Sequence, residues 1–292
     1  MHPTVKELVA SVPVVTDGAW GTQLQTLGLP VGACPDLWNL ERPECVREVA
    51  ESYVAAGSQI ILTNTFGANR IALTRYGAAD RVAEINRRGV ELSRAAAGGK
   101  ARVFASVGPS GTMLFLGQVT EAELAACFKE QIEALAEAGA DGIVIETMSD
   151  LAEATIAVTA ARAAGLPVVA CMTFTSGKQG PRTMMGTTCA QAAQALEEAG
   201  ADVIGANCGE GIEGFRIIVE QFRQATRLPL WVKPNAGVPE LVDGKAIYRM
   251  NAETFASYIP DLVAAGASFI GGCCGTSPEF ISQMVRLLSK AH

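Results

Sequence analysis

One phrase recurs along the chain: a helical run ending in Ala-Gly, then a short apolar stretch rich in β-branched residues. It reads VAAGSQIILTN, AEAGADGIVIET, EEAGADVIGANC and VAAGASFIGGC, with RAAGLPVVACMT as a variant. The glycine stands where a helix C-cap takes left-handed backbone, and the β-branched residues after it favour a strand. Between these phrases lie alanine-rich segments of helical period, such as TEAELAACFKEQIEALAEAG and SDLAEATIAVTAARAAG. Repeated strand–helix units of this kind give parallel strands, because each helix carries the chain back to the start of the next strand.

Eight such units fit the chain. Strands are expected near 13–17, 59–64, 102–107, 142–146, 167–174, 202–207, 229–234 and 268–272. Helices are expected near 44–56, 80–97, 120–138, 150–164, 188–199, 212–226, 252–265 and 277–290. A doubly wound open sheet is the competing arrangement. Eight regular units with apolar strands favour closure instead, so the expected fold is α/β, a single-domain (β/α)8 TIM barrel over residues 1–292. No linker or low-complexity segment interrupts it.

Composition narrows what such a barrel does. A net charge of −7 disfavours nucleic acid and anionic membrane as partners. No apolar segment approaches the ~20 residues that span a bilayer, and the N-terminus lacks the pattern of a signal peptide. A cytoplasmic protein is expected, with its eight cysteines reduced. The two histidines, His2 and His292, stand at ends expected to fray. The interior therefore lacks the usual general base and the commonest metal ligand. Chemistry falls to thiols, carboxylates, lysine and backbone groups.

In barrels the site lies at the carboxyl ends of the strands. Those ends carry Asp17, Asn64, Glu146, Asn207 with Cys208, Asn235, and the adjacent pair Cys273 and Cys274. A lone carboxylate there is as readily a helix cap. Adjacent cysteines point to opposite faces of a regular strand and bond to each other only under strain. The glycines of GGCCG permit a sharp turn that brings both sulfurs to one place. With Cys208 they make three rim thiols, a set that suits zinc, which takes sulfur at ~2.3 Å and keeps a fourth position open when catalytic. Cys34, Cys45, Cys127, Cys171 and Cys189 stand singly and read as packing residues. Lys233 raises an alternative, the Schiff-base lysine of an aldolase-type barrel, although that mechanism has no use for three thiols. A non-catalytic zinc-thiolate protein is a further alternative.

The motifs DGAWGTQLQ, TNTFGAN, SVGPSG, IVIET, PRTMMG, ANCGEG, KPNAG and GGCCGTSPEFI cover almost the whole chain. In that order they resemble the homocysteine S-methyltransferase family: the homocysteine-binding barrel of cobalamin-dependent methionine synthase, and its betaine- and S-methylmethionine-dependent relatives. The resemblance implies zinc on Cys208, Cys273 and Cys274, with Asn235 near the metal and able to occupy its vacant position. It implies methyl transfer to homocysteine, giving methionine. The substrate ammonium is expected at Asp17 and Glu146, and its carboxylate at the backbone amides of Gly18 and Ala19. Asn64 and Thr65 are expected to line the pocket, with turn hydrogen bonding an equal reading of both. Two departures, Trp20 in place of a common methionine and GEG after Cys208, fall where the donor approaches. The DxHxxG loop of a cobalamin module needs an internal histidine, which this chain lacks. The expected donor is thus methylcobalamin on a methylcorrinoid protein acting in trans, docked over Trp20 and residues 110–118. Packing over the barrel mouth explains that apolar cluster equally well. S-methylmethionine or another sulfonium or betaine donor is the alternative.

Overall fold

The glycines of the recurring phrase all take left-handed backbone: φ is +100° at Gly57, +90° at Gly139, +71° at Gly165, +102° at Gly200 and +116° at Gly266. Each ends a helix and turns the chain into a strand, a conformation that side chains with a Cβ rarely adopt. The computed structural model describes residues 1–289 except 12, 176, 178, 179, 243 and 244.

The strands are β1 (Val14–Val15), β2 (Ile60–Leu62), β3 (Arg102–Val107), β4 (Gly142–Met148), β5 (Val168–Met172), β6 (Val203–Gly211), β7 (Leu230–Asn235), the hairpin pair β8 (Glu240–Val242) and β9 (Lys245–Ile247), and β10 (Ala267–Ile270). Eight of them form one parallel sheet in the order β1-β10-β7-β6-β5-β4-β3-β2. A parallel bridge between Thr16 and Ile60, with the Gln59 amide donating to Val15 O at 2.8 Å, joins its two edges. The result is the expected (β/α)8 barrel.

Two apolar layers hold it. The larger lies between strands and helices; the smaller fills the barrel with Ile60, Leu62, Phe104, Val144, Val169, Cys171, Val203, Trp231 and Phe269. Trp231 occupies the axis, with its ring centroid 5.2 Å from Phe269 and 6.2 Å from Phe104. Helix Pro3–Leu8 packs Val5 against this inner layer.

Several expectations need correction. His2 is not frayed: its Nδ1 accepts from the Thr4 amide at 3.2 Å, and its own amide donates to Asp202 at 2.6 Å. The helix expected over 252–265 is two, Ala252–Ser257 and Ile259–Ala265. Pro260 has no N–H and its ring crowds the preceding turn, but it is tolerated in the first turn of a new helix. Strands β4 and β6 run past their expected ends. The last helix is Pro278–Ser289; residue 290 and His292 lie outside the described residues. Among the described residues no helix is long and apolar enough to cross a membrane.

Asp36, in a short turn (Pro35–Leu37), is buried beneath the loop after β2. It accepts from the Gly67 amide at 3.0 Å and the Cys34 thiol at 3.6 Å. Burial raises its pKa to about 6. Between the unfolded value near 4 and the folded value near 6, the folded chain binds more protons, so stability falls as pH rises through that window. The loss is at most about 3 kcal/mol. Asp36→Asn is therefore expected to raise the melting temperature at pH 7.5 and leave it little changed at pH 4. Equal melting of the two proteins at pH 7.5 would contradict this account.

Candidate functional site

Strand alternation builds the site upward from the barrel core. Two residues beyond the inner-layer side chains Phe104, Val144 and Trp231 stand Ser106, Glu146 and Lys233. Four residues beyond Val203, Trp231 and Phe269 stand Asn207, Asn235 and Cys273. This periodicity alone would turn Cys208 and Cys274 away from the mouth. Both are redirected by local backbone irregularity.

In β6 the pairing with β7 slips between Asn207 and Gly211, and φ is +61° at Cys208 and +72° at Gly209. A bulge of this kind re-aims a side chain next to a site. In β4 the pairing with β5 slips between Ile145 and Met148, where Thr147 has φ +62°. Left-handed backbone costs a non-glycine residue about 1–3 kcal/mol, and is rarest for β-branched types. After β10 the chain is pinned turn by turn: Gly271 N donates to Val232 O at 3.0 Å, Gly272 N to Asp17 O at 3.0 Å, and Cys273 N to Pro234 O at 2.7 Å. Ala236 N then donates to Cys274 O at 2.9 Å. Gly275 has φ +81°, and the Tyr248 ring occupies the place of any Cβ there.

The sulfurs of Cys208, Cys273 and Cys274 consequently lie within 4.8 Å of one another, half-buried. Hydrogen bonds from the Cys273 and Cys274 thiols hold the Cys208 pKa down to about 3. The same bonds to Cys208 push Cys273 well above the usual thiol range and Cys274 up to about 11. Cys208 is thus the most acidic of the three, and its two neighbours hold their protons more tightly. Tyr248 beside Cys274 and Asn235 beside Cys208 each lower the pKa of the sulfur they face. Asn235 Nδ2 also donates to Gly209 O at 2.9 Å, while its Oδ1 is buried with no hydrogen-bond partner.

These features fit a zinc ion. Sulfurs on ~2.3 Å arms of a tetrahedron lie about 3.8 Å apart, so side-chain adjustment is enough to close the trio on a metal. The orphaned Asn235 oxygen is a suitable neutral donor beside it.

The two carboxylates differ. Asp17 is fully buried; Lys233 Nζ donates to its Oδ1 at 2.5 Å, and the Leu62 amide and Trp20 Nε1 donate to its Oδ2 at 2.7 and 2.8 Å. Burial presses the Lys233 pKa down, but Asp17 and Glu146 outweigh it and leave the value raised, so the ammonium stays charged. Glu146 accepts from the Ser106 hydroxyl and, at 3.3 Å, from Asn207 Nδ2. Burial raises its pKa, against the opposing pull of Lys233. Asn64 spends its amide hydrogens on Pro35 O and Asn39 Oδ1, at 2.8 and 3.1 Å. Thr65 donates to Ser106 O at 2.7 Å. Both therefore stitch loops together. The Ala19 amide donates to Thr276 Oγ1 at 3.1 Å, while the Gly18 amide has no partner among the described residues.

Sequence reasoning gave no role to Ser106, Asn207 or Tyr248. Asn207 was visible as a strand-end polar residue, and Ser106 by its two-residue spacing from Phe104. Tyr248, beyond β9, carried no such signal.

A parallel barrel that gathers three thiols, two carboxylates and a buried lysine at its strand ends defines a barrel enzyme with a thiol-lined site. Residues 14–288 match the homocysteine S-methyltransferase family, and the chain belongs to it. It is 30% identical to methionine synthase of Mycobacterium leprae, across 98% of this chain and 25% of that protein. It is 32% identical to the Mycobacterium tuberculosis methionine synthase, across 93% and 24%. The chain thus spans about a quarter of those relatives. The metallated homocysteine methyltransferase MmuM from Escherichia coli shares its fold with a TM-score of 0.79 and 25% identity, over 97% of this chain and 99% of that one.

The buried Lys233–Asp17 pair makes a direct prediction. Lys233→Met leaves a carboxylate buried without its cation and should destabilise the barrel by about 3–5 kcal/mol in urea unfolding. Asp17→Asn combined with Lys233→Met should recover much of that loss. A single variant as stable as the parent would show that the pair carries no such weight.

Proposed function

We propose that the protein transfers a methyl group to the sulfur of homocysteine, giving methionine, with zinc held by Cys208, Cys273 and Cys274. The observation that carries this reading is the trio of sulfurs, assembled by two separate backbone irregularities to within 4.8 Å of one another. Zinc bound there would supply the positive charge that lets the substrate thiol give up its proton at neutral pH, where a free thiol, pKa ~8.5, is mostly protonated. That removes the need for a histidine base.

The chain's own residues do the rest. Glu146, whose oxygens are held by Ser106 and Asn207, presents a carboxylate to the substrate ammonium. Asp17 acts at one remove: with Lys233 on one oxygen and Leu62 and Trp20 on the other, it sets the charge beneath the pocket. The unpartnered Gly18 amide offers a donor to the substrate carboxylate, and Asn235 lies beside Cys208 to steady that sulfur. The substrate sulfur takes the methyl group while the donor keeps the bonding electron pair.

For the donor we propose a methylcorrinoid. Support comes from the 30–32% identity with methionine synthases and from the apolar groups around the mouth. Phe66, Met113, Phe115, Leu116, Met184 and Leu241, from four different loops, are all exposed there. Trp20 belongs to this rim less than expected, since it is half-buried and tied to Asp17. A second reading, S-methylmethionine as donor, is favoured by the match to nearly the whole length of the freestanding MmuM.

Metal analysis should find one zinc per chain, and the Cys273→Ala, Cys274→Ala double variant should lose both metal and activity while melting as a folded barrel. A full zinc complement in that variant would remove the metal assignment. The donor is decided by steady-state kinetics. The expected specificity constant is larger for methylcobalamin or a methylcorrinoid protein than for S-methylmethionine. The opposite order moves the protein to a sulfonium donor and leaves the thiol site intact.

A further inference from the structure

Asn207 touches both ends of the proposed substrate site. Its Oδ1 accepts from the Thr147 amide at 2.7 Å, which settles the amide's orientation, because only the oxygen can accept there. Its Nδ2 therefore faces three acceptors: Thr147 Oγ1 at 2.7 Å, Glu146 Oε2 at 3.3 Å and Cys273 Sγ at 3.8 Å. The backbone that carries this side chain is itself anchored, since Thr173 Oγ1 donates to Asn207 O at 3.0 Å. The residue is buried, so water does not compete for these contacts.

The consequence is geometric. Thr147 holds left-handed backbone immediately after Glu146, and Asn207 grips Thr147 through both its amide and its hydroxyl. The same side chain donates to the Glu146 carboxylate. Ser106 fixes the other Glu146 oxygen from β3, so the carboxylate is aimed from two strands at once. At the far side, the Asn207 amide lies against a sulfur of the thiol trio. The span from carboxylate to sulfur is thus set by one rigid planar group seated on β6.

We propose that Asn207 is a positioning residue that couples recognition of the substrate's amino group to the placement of its sulfur. It acts by holding Glu146 and Cys273 at a fixed separation. This rests on the reading of Glu146 as the ammonium partner, so the test must separate the two ideas.

The test uses the zinc-loaded protein and isothermal titration calorimetry with two ligands. One is homocysteine; the other is 4-mercaptobutyrate, which keeps the thiol and the carboxylate and lacks the amino group. The parent protein should prefer homocysteine. In Asn207→Ala that preference should fall at least tenfold, with the affinity for 4-mercaptobutyrate changed less than threefold and zinc retained at one per chain. Asn207→Asp keeps an oxygen for the Thr147 amide and removes the donors to Glu146 and Cys273. It should show the same selective loss, and it decides the matter if the alanine variant does not fold. Glu146→Gln provides the control and should lose the preference as well.

An unchanged preference in the Asn207 variants overturns the proposal, whether both affinities fall together or neither moves. Loss of zinc together with both affinities also overturns it, because Asn207 then only supports the metal site. If Glu146→Gln keeps the full preference, the ammonium assignment fails, and the coupling through Asn207 fails with it.

Discussion

A β-strand sends successive side chains to opposite faces, yet this site needs sequence neighbours on the same one. Asn207 and Cys208 must both face the mouth, and so must Cys273 and Cys274. The regular barrel cannot supply that arrangement. Its parallel ladder is interrupted where the demand arises: at Thr147 in β4, at Cys208 and Gly209 in β6, and at the glycine-flanked turn after β10. Below these points the strands follow the two-residue period and pack Phe104, Trp231 and Phe269 around the axis. The stability of that lower barrel allows the upper rim to hold backbone that would be unfavourable in isolation.

Charge follows the same division. Two carboxylates and a lysine are buried in one layer, directly above apolar side chains. A lone buried charge is expensive, and removal of one partner is worse than replacement of both. Lys233 lies beside Asp17 and within the field of Glu146. Glu146 has fewer internal donors than Asp17, which leaves it more acceptor capacity for a cationic group. Asp17, with three donors on its two oxygens, has little acceptor capacity left for a ligand. Equal status for the two carboxylates was a fair inference from strand-end position, but the structure gives them different surroundings.

Much of the fold was legible because its signals are local. A helix ending in Ala-Gly and a β-branched run after it are read within a dozen residues, and the phrase glycines have the backbone their context predicts. The thiol trio was legible because strand ends in a barrel converge whatever their separation in sequence. Contacts without a local signature were not legible. Lys233 and Asp17 are 216 residues apart, and no periodicity links a lysine in KPNAG to an aspartate in TDGAWG. The break at Pro260 was hidden because the apolar period continues across it from Ala252 to Ala265. The hairpin over β8 and β9 carries the Asp-Gly signal in LVDGKA, but it lies between the expected strand 229–234 and helix 252–265, where no element was expected.

That hairpin links the barrel to its surroundings. It leads the chain from β7 to Tyr248, whose ring fills the space above Gly275, next to the thiol trio. One loop therefore has an exposed apolar end at Leu241 and Val242 and a half-buried tyrosine beside the thiol cluster. The two sulfurs are thus held differently: the contact that holds the Cys273 backbone comes from β7, and those around Cys274 come from the loop above it.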